Sequence, residues 1–391
     1  MNHSWNIKRL GDICTSELGK TRDEKRNKGS FRPFLCAVNV QWDKFELSEL
    51  KKMRFEDNEY DRYTIRKGDL VICEGGDIGR AAIWDKDEPI HYQNALHRVR
   101  FNEGVDSRFI LYYLYFLKQT GILDGRYGKG VTIKHLVKSS LLSIPVPVPP
   151  IDEQQRIVFE LDLLTDIIDK KNAQLRDLDT LAQSIFYEMF GDPSLNEKGW
   201  PVKNISDLFD VGSSKRVFES EWRDSGVPFY RAREIVRLSK GLPLEDPIFI
   251  EEALFSAYKE KYGIPAAGDI MVTGVGTLGV CYLVKEEDRF YFKDGNTLWF
   301  KDKHIANSRF IKDQYSTEFV KDQIKGNSHG ATVGTYTIVN AKKTRVICPP
   351  VELQDEYVEK VQVIDEQKQL IEDSIKDTQD LLDSRMHNYF D

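Results

Sequence analysis

Two glycine-rich stretches, seven histidines and two clusters of basic residues are where this 391-residue chain could do chemistry. Gly274-Val275-Gly276-Thr277-Leu278-Gly279 has the G-x-G-x-x-G spacing that cradles a dinucleotide pyrophosphate. That chemistry needs a helix N-terminus directly after the glycines. Val280-Cys281-Tyr282-Leu283-Val284 follows instead and is strand-like, so a turn between strands is the better reading. Gly19-Lys20-Thr21 ends like a phosphate-binding P-loop, but Cys14 stands where the first glycine belongs. The histidines (His3, His91, His97, His135, His304, His329, His387) show no metal-ligand spacing. No H-E-x-x-H, no G-x-S-x-G and no Asn/Asp-Pro-Pro-aromatic run occurs, so no active site assembles from the sequence.

Basic and polar residues beside glycines do accumulate. Lys20, Arg22, Lys25, Arg26, Lys28 and Arg32 precede the apolar run Phe34–Val40. Ser214, Lys215 and Arg216, then Arg231 and Arg233, occupy the same region of the second half. Lys and Arg on loops suit phosphate contact and guanine readout, and Asn suits adenine. Lys129, Asn94, His97, Arg98 and Asn296 complete a candidate DNA-binding set. Solvated loops would carry the same charges, and Asn94, His97, Arg98 and Asn296 lie on apolar alternations that also fit a place beside the core.

The elements that must position these residues occur twice. Trp5-x-x-Lys8-x-x-x-Asp12 returns as Trp200-x-x-Lys203-x-x-x-Asp207, and Gly68-Asp69 as Gly268-Asp269. Ser107-Arg108-Phe109-Ile110 is repeated verbatim at 308–311, Gly130-x-Thr132 as Gly330-x-Thr332, and Pro149-Pro150 as Pro349-Pro350. Self-similarity at this period means one large unit plus one helix, repeated. Leu70–Cys73 with Ala81–Trp84, and Ile270–Thr273 with Val280–Val284, read as hairpins around the glycine turns. Phe109–Leu117 reads as a buried helix.

After each Pro-Pro pair comes a long helical pattern, with Asp152 and Gln155 as a capping-box-like start. Ile157, Leu161, Leu164, Ile168, Lys171, Leu175, Leu178, Ala182, Ile185 and Met189 alternate by fours and threes. So do Tyr357, Val361, Ile364, Lys368, Ile371, Ile375, Thr378, Leu382, Arg385 and Tyr389. These are heptad seams whose lysine interruptions are complementary, so the two helices are expected to pair as a coiled coil. A helix of ~38 residues spans about 57 Å.

The net charge of −7 conceals a division. Residues 1–150 sum to +5, 151–192 to −6, 193–350 to +2 and 351–391 to −8. The acidity sits in the helices, and the large units are neutral to mildly basic, as polyanion-binding units can be. The five cysteines are scattered without a C-x-x-C pair, as in a reduced cytoplasmic chain. No apolar run is long enough to span a membrane, and no signal region leads the chain.

Pro149-Pro150-Ile151-x-Glu153-Gln154-Gln155-Arg156-Ile157, the helix end Leu181–Phe186 before Trp200, Glu74-Gly75-Gly76-x-x-Gly79-Arg80, Val227-Pro228-Phe229-Tyr230-Arg231 and Tyr262-Gly263-Ile264-Pro265-x-x-Gly268-Asp269-Ile270 carry a resemblance. The chain resembles, over its full length, the specificity subunit of type I restriction–modification systems. The second helix entry departs from the pattern, with Leu353 where the first has Glu153, which could alter the fit to a partner.

The resemblance implies a mixed α/β (α+β) fold with a pseudo-two-fold internal repeat. Target recognition domains at 1–150 and 193–350 would be held by two long α-helices, 151–192 and 351–391, the family's conserved helices, forming an antiparallel coiled coil. It implies a non-catalytic, cytoplasmic, nucleoid-associated subunit that reads an asymmetric bipartite site in double-stranded DNA. Methyltransferase (M) and restriction (R) subunits would be its partners, with no membrane. S-adenosylmethionine, ATP and Mg2+ would sit on those partners and no cofactor on this chain. The alternatives are an orphan or phase-variable DNA-binding adaptor, a purely structural adaptor, and a DNA methyltransferase or nuclease in its own right.

Overall fold

The computed structural model describes residues 5–130, 134–326 and 334–391. The chain divides into two compact units, 1–173 with 371–391, and 174–370. Each is mixed α/β, and the second repeats the central sheet of the first.

In the first unit the central sheet orders Cys14–Leu18, Leu96–Phe101, Leu70–Cys73 and Ala81–Ile83, all antiparallel. Leu70–Cys73 is buried on both faces, which explains its unbroken apolar run. The expected hairpin is present around the glycine turn. A second sheet orders Lys51–Phe55, Ser30–Leu35, Ile90–Tyr92 and Thr64–Ile65, with Ser30–Leu35 and Ile90–Tyr92 parallel. Asn6–Arg9 pairs with Pro145–Val148 and brings the ends of the domain together. The helix Ser107–Gln119 carries the Phe109–Leu117 run into the core, capped by Asp106, whose side chain accepts from the N–H groups of Arg108 and Phe109.

In the second unit the corresponding sheets are Phe209–Gly212, Thr297–Asp302, Ile270–Thr273 and Cys281–Leu283, and Trp222–Arg223, Ile248–Ile250, Val227–Tyr230 and Tyr291–Phe292. The parallel pair recurs between Val227–Tyr230 and Tyr291–Phe292. The helix Ala232–Ser239 packs against the central sheet, with Ile235 among Met271, Tyr282 and Trp299, while Glu252–Tyr262 packs Phe255 onto the second sheet.

The long helices are Ile151–Phe190 and Val351–Phe390, each 40 residues. They run antiparallel. In the first unit Tyr389 and Arg385 bond Glu160, and Lys171 Nζ donates to Ser374 Oγ at 2.6 Å. In the second, Lys368 Nζ meets Asp179 Oδ1 at 2.5 Å. The two lysines that interrupt the seams therefore find polar partners across the pair. The expected capping start does not form. The helix begins at Ile151, directly after Pro150, so Asp152 lies inside its first turn, and Asp152 and Gln155 are exposed.

Gln154 takes the anchoring role instead. It is fully buried; its Oε1 accepts from Asp106 N–H at 2.8 Å, and its Nε2 donates to Pro149 O and Gly104 O. Gln354 repeats the arrangement with Asn307 N–H at 2.9 Å and Pro349 O at 2.7 Å. The departure at Leu353 leaves this anchor intact.

Candidate nucleic-acid interface

One end of each central sheet gathers the loops that hold the candidate residues. In the first unit the strand Cys14–Leu18 runs into Gly19, whose N–H donates to Leu96 O at 3.2 Å. A side chain at Gly19 would begin 2.3 Å from the Gln93 carbonyl, so this crossing requires glycine. Lys20 N–H donates to Tyr92 O at 3.0 Å, and Gln93 N–H to Leu35 O at 2.9 Å. At the glycine turn, Glu74 N–H donates to Ala95 O at 2.9 Å, while Glu74 O accepts from Leu136 N–H at 2.7 Å. Lys129 and His135 exchange backbone hydrogen bonds beside it. Thus the segments 19–29, 74–80, 93–95, 129–130 and 134–136 are tied into one rim.

The second unit builds the same rim with different side chains. Gly274 N–H donates to Asn296 O, and Gly274 O accepts from Tyr336 N–H, both at 2.9 Å. Lys293 N–H donates to Tyr230 O at 2.8 Å, matching Gln93 on Leu35. The G-x-G-x-x-G stretch is the hairpin turn into Cys281–Leu283, with no helix to hold a pyrophosphate.

The structure turns several sequence-selected residues inward. Lys20 is 6% exposed, and its Nζ bonds Glu59 and Arg54 O. Burial raises the Glu59 carboxyl, but the Glu56 N–H and Lys20 outweigh it and hold it below its usual range. Arg98 is buried with Nη1 donating to the carbonyls of Asp61, Arg62 and Thr64, so it clamps the segment that leads into Thr64–Ile65. His97 is fully buried, with Nε2 2.8 Å from Leu136 O. Ser214 Oγ donates to Phe292 O at 2.7 Å. Arg231 and Arg233 both grip Glu234, which is 1% exposed. Burial pushes that carboxyl up, and the two guanidiniums with the Arg231 N–H pull it lower still. Lys20, Arg98, His97, Ser214 and Arg231 are therefore structural groups, each engaged where a phosphate or base would have to replace an internal partner.

Arg22, Lys25, Arg26, Lys28, Arg32 and Lys129 are exposed, as are Lys215, Arg216 and Arg233. Arg22 pairs with Glu24 in solvent, where such pairs exchange readily with other anions, and Arg216 pairs with the largely covered Asp294. Asn94 is half-buried at the rim, with Nδ2 3.4 Å from Thr21 Oγ1. Asn296 is also half-buried and contributes its carbonyl to the turn. Of the other motifs, His3, His329, Thr132, Gly330 and Thr332 lie outside the described residues.

The rim also includes residues the sequence clusters did not single out: Gln93, Lys134 and His135 in the first unit, Thr277 and Lys293 in the second. Lys52 and Arg54 join it as well, exposed on the strand Lys51–Phe55 while Met53 and Phe55 point inward. That alternation is visible in Lys51-Lys52-Met53-Arg54-Phe55 and could have been read as a cationic strand face.

Each of the two α/β units thus carries a loop rim at one end of its central sheet and packs on paired antiparallel helices. The model of the type I restriction modification DNA specificity domain matches residues 2–177 and 197–378, and the chain belongs to that family. Its members are the recognition component of type I systems, not the catalytic one. A putative type I restriction enzyme specificity subunit from Haemophilus influenzae is 27% identical over 270 residues, 68% of this chain and 66% of that relative. The MjaIX specificity subunit of Methanocaldococcus jannaschii is 23% identical over 94% of this chain and 89% of its own length. The solved type I S subunit from M. genitalium shares the fold at TM-score 0.55, with 14% identity over 98% of this chain and 96% of that one. A structure described as showing complex assembly and conformational transition of the type I restriction–modification system gives 0.57, with 15% identity over 99% and 97%.

Proposed function

We propose that the chain reads an asymmetric, bipartite site in duplex DNA, one part with each loop rim. In this reading it directs adenine methylation by methyltransferase subunits and ATP-dependent cleavage by restriction subunits. The observation that supports it best is the doubled rim, which shares three backbone bonds between the units and changes its side chains. Glu74-Gly75-Gly76-Asp77 becomes Gly274-Val275-Gly276-Thr277, and Gln93-Asn94 becomes Lys293-Asp294. Base edges in the major groove differ in their donors and acceptors, so exchanging these groups on a constant scaffold suits two different half-sites.

The paired helices suit protein partners. Phe159, Leu163 and Ile167 recur every fourth residue on the first helix and are exposed, an apolar stripe within an acidic segment. S-adenosylmethionine, ATP and Mg2+ belong to those partners in this reading. Among the described residues, no group of three or more His, Cys, Asp or Glu is placed to hold a metal. Such an assembly would work in the cytoplasm at the nucleoid. No described helix is long and apolar enough to cross a membrane.

The test is a genome-wide map of methylated adenines in cells with this chain and its methyltransferase subunit, against cells lacking the chain. The expected result is a two-part motif with an unspecified spacer. Exchanging residues 1–150 for those of a relative should change one part only. Identical half-sites, or no new methylation with an active, bound methyltransferase, would overturn the reading.

A further inference from the structure

Phe31 and Phe218 are each 61% exposed, one on the rim of each unit. A single exposed apolar residue is ordinary on any protein surface. These two differ in being held rigidly outward among cations. Phe31 lies on the strand Ser30–Leu35 in register with Arg54. The Arg54 guanidinium sits 4.5 Å from the Phe31 ring centre and donates to Gly29 O at 3.0 Å, fixing both. Gly29 has φ 91°, and a side chain there would begin 2.0 Å from Phe55 O, so the approach to the strand is rigid as well. Arg22, Asn27, Lys52 and Arg54 line one cleft with Phe31. The acids there are occupied locally, Asp23 by the N–H groups of Lys25 and Arg26, and Glu24 by Arg22.

The loop carrying Phe218 is pinned from within. Ser213 Oγ donates to Thr297 O and Ser214 Oγ to Phe292 O. Lys215 N–H donates to the Tyr291 hydroxyl, and Arg216 O accepts from the Tyr258 hydroxyl. Val217 is buried, and Phe218 N–H donates to Glu221 at 2.7 Å. Lys215, Arg216 and Phe218 point outward, with Glu219 and Ser220 exposed directly after them.

An occupant that fits both places is apolar at its centre and anionic at its edges. A base stack between its flanking phosphates meets that description, and apolar side chains wedge into base steps in several DNA-bending proteins. We propose that Phe31 and Phe218 are apolar wedges, one in each unit, seated against a base step while neighbouring cations hold the adjoining phosphates. This rests on the DNA-recognition reading above and adds a mode of readout, since pyrimidine–purine steps open most easily.

The experiment uses the full-length chain and a duplex selected on it from a randomised pool, with 2-aminopurine placed at each step in turn. Binding should raise the fluorescence at one step in each half-site. Phe31→Ala should abolish one rise and Phe218→Ala the other, each weakening binding by roughly 10-fold while leaving the salt dependence unchanged, because no phosphate contact is lost. Phe31→Leu, still an apolar wedge, should keep most of the affinity. Because both side chains are exposed, the variants should unfold at the wild-type temperature. Selected DNA bound by the wild type with no 2-aminopurine response, or variants within about twofold of wild type, would overturn the wedge alone. A wild-type chain that selects no duplex overturns the recognition reading and the wedge with it.

Discussion

Phe390 packs against Phe109 with ring centres 5.4 Å apart, so the last turn of the second long helix seals the core of the first unit. Phe190, at the end of the first long helix, packs on Phe310 at 4.8 Å in the second unit. Each helix starts at one unit and completes the core of the other, a division that falls at residues 173 and 371.

Removing the Phe390 side chain should therefore damage the half of the protein most distant in sequence. Phe390→Ala deletes a ring that touches Phe109, Tyr113 and Phe116, and a Phe-to-Ala cavity costs about 3–5 kcal/mol. In hydrogen exchange, amides of Ser107–Gln119 should lose protection while those of Ser308–Gln314 keep theirs. Phe190→Ala should give the reverse. Equal loss in both units would contradict this assignment.

Gln154→Ala should be costly although it removes no apolar contact of note. Asp106 N–H and the Pro149 carbonyl lose their partner, and an unsatisfied buried group such as Pro149 O costs about 1–3 kcal/mol, whereas the exposed Gly104 carbonyl can turn to water. Gln155→Ala, one residue on and exposed, should fall within about 0.5 kcal/mol of wild type. Chemical denaturation of the two variants checks the contrast.

These outcomes separate what the sequence displays from what it withholds. The repeat, the hairpins at Gly76 and Gly276, and the buried Phe109–Leu117 helix follow from periodicity and turn residues alone. The seam is right in the middle and drifts at the ends: it names Met189 and Arg385, whereas Phe190 and Met386 are the more buried residues. A 3.6-residue helix slips about 20° per heptad against a 3.5-residue pattern, which moves the contact one residue on. For the DNA set, residue type was legible and direction was not. Lys20 and Lys25 belong to one basic run, yet an acid 39 residues on, Glu59, draws Lys20 inside. No local pattern encodes such a pairing.

His97 gives the first unit an acid sensitivity. Burial is the largest influence and pulls its pKa from the usual 6.5 down to about 4, opposed by the Leu136 carbonyl. In the unfolded chain the ring takes a proton below about 6.5, which the folded protein refuses until about 4. The stability is thus complete above the unfolded value and is lost as pH falls through that window, by as much as about 3 kcal/mol. Burial also lowers the pKa of His91, in the same direction. His97→Gln should reduce the fall in denaturation midpoint between neutral and mildly acidic solution. An unchanged slope in that variant would assign the acid loss elsewhere.

The same inward and outward division predicts opposite phenotypes for neighbouring lysines. Lys25 is exposed on the rim, so Lys25→Ala should lower the slope of log affinity against log salt by about one unit and leave stability alone. Lys20→Met removes the partner of a largely buried Glu59 and the donor to Arg54 O, which should cost about 2 kcal/mol of stability with no change in that slope. Arg98→Met should behave like Lys20→Met, because three carbonyls lose a charged donor. DNA titrations across a salt series, paired with thermal unfolding of each variant, read both quantities on one sample. A slope change in Lys20→Met without one in Lys25→Ala would mean that this rim is not the surface facing the phosphates.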